Sequence, residues 1–403
     1  MKAMVLAAGK GTRVRPITNI VPKPMIPLLG KPIMQSIVEH LRDSGFDQIV
    51  VNTSHLAPLI EDFFGDGSNF GVEMAYSFEG VLSQGRLEGQ AIGSAGGMKR
   101  IQEFSGFFDD TFVVLCGDAL VDVDLQTAVR FHRDRGALAT IIMRDVPREE
   151  VFRYGVVATA PDGRVRQFQE KPSVEAAVST TINSGIYLFE PRIFDYIPAG
   201  RQFDIGGDLF PALVAAGEPV FGIDLPFEWV DIGCIPDYWE ASRLALSGKI
   251  KGYKLPGHEV IPGVHLGLNV QWNPAQVTMS GPIVIGSSTS IGAGAVIEGP
   301  TFIGAGSIIE PGAVVRECLL GQYTRVSSLA RLERVLMFGS NCIDPCGRFI
   351  DVEEAGVGWV IDDSRKRQEW STEEQELRAL ALLVNQRHSG VLRNYDIGDN
   401  NAI

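Results

Sequence analysis

Two glycines and the cations Arg13, Arg15 and Lys23 stand out in the amino-terminal stretch Val5-Leu6-Ala7-Ala8-Gly9-Lys10-Gly11-Thr12-Arg13-Val14-Arg15-Pro16 and the Pro22-Lys23-Pro24 that follows. The chemistry these residues suit is the holding of phosphate. Gly9 and Gly11 lack the Cβ that would keep the backbone away from an anion. Arg13 and Arg15 offer forked donors to phosphate oxygens, and Lys23 adds a compact point charge. Met4–Leu6 is a short apolar run, so the loop reads as the outflow of a buried strand. Two common phosphate motifs are excluded. There is no Gly-x-x-x-x-Gly-Lys-Ser/Thr, and Gly9–Gly11 lacks both the third glycine of a dinucleotide fingerprint and its acidic strand end. Asp118 follows the apolar run Thr111–Cys116, and Asp231 follows Phe227-Glu228-Trp229-Val230. Asp118 therefore sits at a strand's carboxyl edge, where open α/β sheets bind ligands.

Gly-x-Gly-Thr-Arg-x-x-Pro with Pro-Lys-Pro downstream resembles the sugar-1-phosphate nucleotidylyltransferases, or NDP-sugar pyrophosphorylases. Further segments resemble the same family. Gly93-Ser94-Ala95-Gly96-Gly97 looks like its base-proximal loop, and Leu115-Cys116-Gly117-Asp118 like its strand-end Gly-Asp. Tyr154-Gly155-Val156-Val157, Glu170-Lys171-Pro172 and Asn183-Ser184-Gly185 resemble its sugar-pocket segments, and Trp229-Val230-Asp231-Ile232-Gly233 its second metal-site strand. The resemblance spans residues 5–233 and implies attack by a sugar 1-phosphate oxygen on the α-phosphorus of an NTP, releasing pyrophosphate.

By that resemblance, Asp118 and Asp231 hold Mg²⁺, a hard cation suited to a few carboxylate ligands. Arg13 neutralises the departing pyrophosphate and Lys23 lies at the α-phosphate, so Arg13, Lys23, Asp118 and Asp231 are the expected catalytic residues. Leu6, Ala7, Ala8, Gly9, Gly11, Thr12 and Arg13, with Gly93 and Ser94, are expected to bind the nucleotide. Gly155, Glu170, Lys171 and Asn183 are expected at the sugar phosphate. Arg15 is open between a second phosphate ligand and a salt bridge within the loop. No general base is required, because a sugar phosphate is already an anion. The six histidines fit no motif.

The choice of substrates is less direct. Phe210-Pro211-Ala212-Leu213 and a C-terminal hexad repeat resemble GDP-mannose pyrophosphorylases. Tyr76-Ser77-Phe78-Glu79-Gly80, Gly93–Gly97 and Phe227–Gly233 resemble more closely the β-helix-bearing UDP-glucose pyrophosphorylases of cyanobacteria. UTP with glucose 1-phosphate is the favoured pair, and GTP with mannose 1-phosphate the alternative. The polar segment Gln84–Gln90 departs from the shorter lead of many relatives and leaves the base open. Two readings of other classes compete. A catalytically inactive regulatory subunit is opposed by the presence of Arg13, Lys23, Asp118, Lys171 and Asp231. A hexapeptide-repeat acyltransferase resembles the C-terminal half but usually carries a catalytic histidine, whereas His258 and His265 precede the clean repeats.

These residues need a scaffold, and the remaining pattern supplies one. Strands are expected at Gln48–Asn52, Glu73–Ser77, Thr111–Cys116, Leu138–Arg144, Tyr154–Thr159, Arg164–Glu170 and Thr181–Phe189. Helices are expected at Pro32–Asp43, at Leu125–Arg135 after the cap Asp124, and at Ile235–Ser247 closing the domain. This alternation predicts an α/β fold with a Rossmann-like, mainly parallel sheet over residues 1–250. Ile285, Ile291, Ile297, Ile303, Ile309 and Val315 then recur every six residues. Such hexads mark a parallel β-helix, placed at 258–352 and left-handed in the proteins it resembles. Residues 361–403 read as a separate tail. In it, Ser371-Thr372-Glu373-Glu374 forms a capping box for a helix whose Leu377, Leu380, Ala381 and Val384 share a face.

A chain of 403 residues with a net charge of −13 has room for two domains and argues against a nucleic-acid partner. The absence of an apolar run of about 18 residues leaves nothing to span a membrane. Five scattered cysteines suggest no disulfide framework and fit a reducing cytoplasm. The β-helix commonly joins subunits, so a homo-oligomer is expected.

Overall fold

The computed structural model describes residues 1–83, 85–328, 330–366, 375–377 and 379–381. The chain divides into two compact units, residues 1–233 with 250–252, and residues 234–249 with those from 253 onward.

The first unit is built on a nine-stranded mixed sheet. Its chain order begins with β1 (Lys2–Leu6), a short hairpin β2 (Pro27–Leu28) and β3 (Lys31–Pro32), and α1 (Ile33–Asp43). It continues through β4 (Gln48–Thr53), α2 (Ala57–Phe64), β5 (Glu73–Phe78), the hairpin β6 (Gly80–Ser83) and β7 (Arg86–Gly89), and α3 (Ser94–Ser105). Then come β8 (Phe112–Cys116), β9 (Ala119–Val121), α4 (Leu125–Asp134) and β10 (Ala139–Asp145). The last group is β11 (Gly155–Thr159), β12 (Val165–Glu170), β13 (Thr181–Phe189), α5 (Phe210–Ala215), β14 (Val220–Asp224) and β15 (Trp229–Asp231).

Strands β8, β1, β4 and β5 run parallel side by side, and β13 continues the sheet antiparallel to β8. Alternation along β1 explains why both faces must be covered. Met4 packs into a core that includes Met98 of α3 and Phe210 of α5. Ala3 and Val5 point the other way, into a core with Ile37 and Leu41 of α1 and Val129 of α4. Asp124 caps α4 as expected, accepting from the Thr127 amide at 3.0 Å. Pro32 stands at the N-cap of α1, one residue outside the helix.

The second unit is a coil of short parallel strands forming three sheets, and the hexads become its three inner columns. Ile285 stacks on Ile303 and then Leu320; Ile291 on Ile309 and Val326; Ile297 on Val315 and Leu332. Burial of these columns is what stacking coils achieve and single coils cannot. Two features differ from the sequence reading. The helix α6 (Ile235–Leu246), expected to close the first domain, belongs to this second unit. The segment expected to open the tail is a strand: Ile361–Asp363 pairs antiparallel with Thr324–Val326, and Ile361 is buried in the coil's core. Leu377, Leu380 and Ala381 are helical, while the capping box at 371–374, Val384 and Gln84 lie outside the described residues.

Candidate active site

The carboxyl ends of β1, β8, β12 and β15, with the start of β11 and the middle of β13, border one cleft of about 590 Å³. At the end of β1, Leu6 is registered beside Cys116 of β8 on one side and Asn52 of β4 on the other. The next amide, Ala7, donates to Asn52 Oδ1 at 2.8 Å, and Asn52 Nδ2 donates to Glu79 Oε1 at 2.6 Å. Both side chains are buried. Burial pushes the Glu79 carboxyl up, against the opposing pull of its hydrogen bonds from Asn52 and the Ile92 amide. The phosphate-type loop is thus anchored from behind by a buried amide and carboxyl. Gly11 adopts φ 61°, and a Cβ there would stand 3.0 Å from both Lys23 Cβ and Thr18 Cγ2. No described atom lies within 4 Å of a Gly9 Cβ, so internal packing does not demand that glycine.

Lys23 is 8% exposed, and its ammonium donates to Asp118 Oδ2 and, at 3.4 Å, to Asp231 Oδ1. Burial alone would lower its pKa; the Asp118 and Asp231 carboxylates outweigh that and raise it, so Lys23 stays charged. The two aspartates meet because β9 and β15 form a small antiparallel ribbon that sets Asp231 opposite Ala119, the residue after Asp118. The Ile232 amide donates to the Asp118 carbonyl at 3.3 Å and closes the pairing. Two carboxylates converging on one cation form a hard, anionic donor pair of the kind Mg²⁺ takes. Among the described residues no group of three or more His, Cys, Asp or Glu could hold a metal. Mg²⁺ is an ion that takes one or two carboxylates and fills its other positions with water and phosphate oxygens. Burial pushes the Cys116 thiol far up, leaving it an inert neighbour rather than a nucleophile.

At the other end of the cleft, the β11–β12 hairpin sets Gly155 opposite Glu170. Lys171 follows with φ 45° and its ammonium 3.3 Å from Glu170 Oε1. Asn183 donates through Nδ2 to the Tyr187 hydroxyl at 2.7 Å and accepts from the Gly185 amide at 2.9 Å. A Cβ on Gly185, at φ 78°, would stand 2.9 Å from Cys116 Sγ.

Of the residues expected from sequence, Leu6, Arg13, Lys23, Ser94, Asp118, Gly155, Glu170, Lys171, Asn183 and Asp231 line this one cleft. Ala7, Ala8, Gly9, Gly11, Thr12 and Gly93 do not border it; they lie in the loops that carry Leu6, Arg13 and Ser94. Arg153, Tyr187 and the run Asp204–Gly207 line it without having been anticipated. Tyr187 had a signal. Asn183, Gly185 and Tyr187 alternate along one strand and so share a face.

An open α/β sheet that collects cations and a pair of aspartates at its strand ends belongs to the class of nucleotide-handling scaffolds. Residues 2–248 match the family model described as nucleotidyl transferase, and the chain belongs to that family. The chain is 55% identical to a UTP–glucose-1-phosphate uridylyltransferase of Synechocystis, over 91% of this chain and 94% of that one. It is 32% identical to a mannose-1-phosphate guanylyltransferase of Mycobacterium tuberculosis, over 73% and 78% of the two chains. Among solved structures, a UDP-glucose pyrophosphorylase complexed with UDP-glucose shares the fold, with a TM-score of 0.50 and 23% identity over 60% of this chain and 96% of that one. No helix among the described residues is long and apolar enough to cross a membrane.

Proposed function

We propose that this protein transfers a uridylyl group from UTP to glucose 1-phosphate, yielding UDP-glucose and pyrophosphate. The observation that carries the substrate pair is the 55% identity, along nearly the whole chain, to a UTP–glucose-1-phosphate uridylyltransferase. In support of the chemistry, Arg13, Lys23, Asp118, Asp231 and Lys171 border a single cleft. The sugar phosphate oxygen forms a bond to the α-phosphorus, and the bond from that phosphorus to the bridging oxygen breaks. Pyrophosphate leaves with the electron pair, and no proton need move. The protein's part is to hold the reactants in line and neutralise charge. Arg13 would take the departing pyrophosphate and Lys23 the α-phosphate. Lys171 would take the sugar's phosphate, with Glu170 and Asn183 binding its hydroxyls. Asp118 and Asp231 would hold Mg²⁺, which would supply charge neutralisation to the reacting phosphates.

GTP with mannose 1-phosphate is a second reading, favoured by the similarity to mannose-1-phosphate guanylyltransferases. Pyrophosphate release measured across a matrix of NTPs and sugar 1-phosphates, with Mg²⁺, separates the two. The first reading requires release with UTP and glucose 1-phosphate to exceed every other pair. Release chiefly with GTP and mannose 1-phosphate would replace the substrates and keep the mechanism, and silence throughout would reject both.

A further inference from the structure

Building on that assignment of the two ends of the cleft, we infer that Asp204 is a positioning residue. With Ser94 it forms a clasp that sets the start of the nucleotide-side helix and the wall behind Glu170 as one unit.

Helix α3 begins at Ser94, and its N-cap, Gly93, has no side chain to satisfy the first amides. The acceptor comes instead from 110 residues away. Asp204 Oδ1 accepts from the Ser94 amide at 3.1 Å and lies 3.4 Å from the Ser94 hydroxyl. That same hydroxyl accepts from the Ile205 amide at 2.9 Å, so Ser94 is bound in both directions. The flanking backbone is laced in the same sense: Gly96 donates to the Phe203 carbonyl at 2.9 Å, and Phe203 donates to the Ile92 carbonyl at 3.1 Å. The glycines of this segment have a physical reason here. A Cβ on Gly93, at φ 78°, would collide with the Phe203 carbonyl, and one on Gly96 would lie 3.3 Å from the Arg201 carbonyl.

Past Asp204 the chain enters a single π-helical turn, Ile205–Leu209, of the kind that often marks functional sites. Asp208 pins its entrance by accepting from the Asp204 amide at 2.8 Å. Within this turn Gly206 lies so near Glu170 that a Cβ would stand 2.6 Å from Oε2. Ser94, Asp204, Gly206 and Glu170 all border the cleft. One short segment is therefore hydrogen-bonded to the nucleotide end and packed on the sugar end. A shift at either end must be transmitted to the other or must break the clasp.

A double-mutant cycle tests this, with Ser94→Ala, Asp204→Ala and the double variant assayed for kcat and for the KM of UTP and of glucose 1-phosphate. Asp204→Ala is expected to raise both KM values about five- to tenfold, the scale of a lost helix cap. The double variant should be no worse than Asp204→Ala alone, as for residues acting as one unit. Asp204→Asn keeps an oxygen for the Ser94 amide and should recover most of the loss. A rise confined to one substrate, or effects that multiply in the double variant, would overturn the clasp. Should Asp204→Ala not fold, Ser94→Ala must still raise both values, and a rise in one alone is equally fatal. If wild type turns over no pair at all, the substrate reading fails separately. Amide hydrogen exchange then decides the clasp: Ser94→Ala must speed exchange at Ile205 as well as at Ser94, and unchanged exchange at Ile205 contradicts it.

Discussion

The two units bury polar groups in opposite ways. In the coil of hexads, the buried polar side chains are chiefly hydroxyls that close turns: Thr301 donates to the Glu298 carbonyl and Ser307 to the Gly304 carbonyl. The exception, Arg325, is matched at 3.0 Å by Glu310. In the sheet unit, Lys23, Asn52 and Glu79 are buried and point toward or brace the cleft, while His132 and Thr140, which do not line it, are buried against each other. Burying charge is costly unless it is paired. The coil uses its buried hydroxyls on its own backbone, whereas the sheet unit holds a lysine against two aspartates where a phosphate can compete with them for it.

The sharpest way to break this contrast is to remove Lys23. Lys23→Ala leaves Asp118 and Asp231 facing each other, and kcat should fall about 10²- to 10³-fold, the range for losing one preorganised electrostatic group. Steady-state kinetics check this, with circular dichroism to show that the variant folds. In the other unit, Ile303 is fully buried in a stacked column. Ile303→Ala should lose about 2–5 kcal/mol in chemical denaturation, with the KM values of the folded protein unchanged. Altered KM values there would erase the division of labour. Gly206→Ala should displace Glu170, a side chain with room to yield, and raise the KM for the sugar phosphate about threefold, with the NTP value affected less.

The smallest effect concerns pH. His132 is 1% exposed, bonded to the Thr140 hydroxyl at 2.8 Å and to Glu190 Oε1 at 3.2 Å. Burial lowers its pKa below 6.5, and the attraction of Glu190 only partly offsets this. A folded-state pKa below the unfolded one gives stability that is present above pH 6.5 and lost as pH falls through the folded value. The urea midpoint should therefore drop on acidification, and His132→Asn should flatten that slope.

Much of this was legible in sequence, because strand ends and glycine-rich loops carry local signals. Arg13, Lys23, Asp118 and Asp231 were each marked by their neighbours, and the hexads announced the coil. The hexads fade for a physical reason: Ile283 pairs with Thr301, an offset of 18 residues, while Leu319 pairs with Leu336, an offset of 17. A coil one residue shorter breaks a strict period of six. Asp204 carried no such signal, since its role is to accept from an amide 110 residues away. Helix α6 shows the same limit. Its apolar stripe reveals that one face is buried but not which unit buries it.

Asp118 and Asp231 close on Lys23 at one point of the cleft, where the proposed reaction would take place. Single-turnover pyrophosphate release from UTP and glucose 1-phosphate, with Mg²⁺, in wild type, Asp118→Asn and Asp231→Asn tests it most directly. Release by wild type is expected, with a loss of about 10²-fold or more in each folded variant. Release at near wild-type rates in either variant would contradict it.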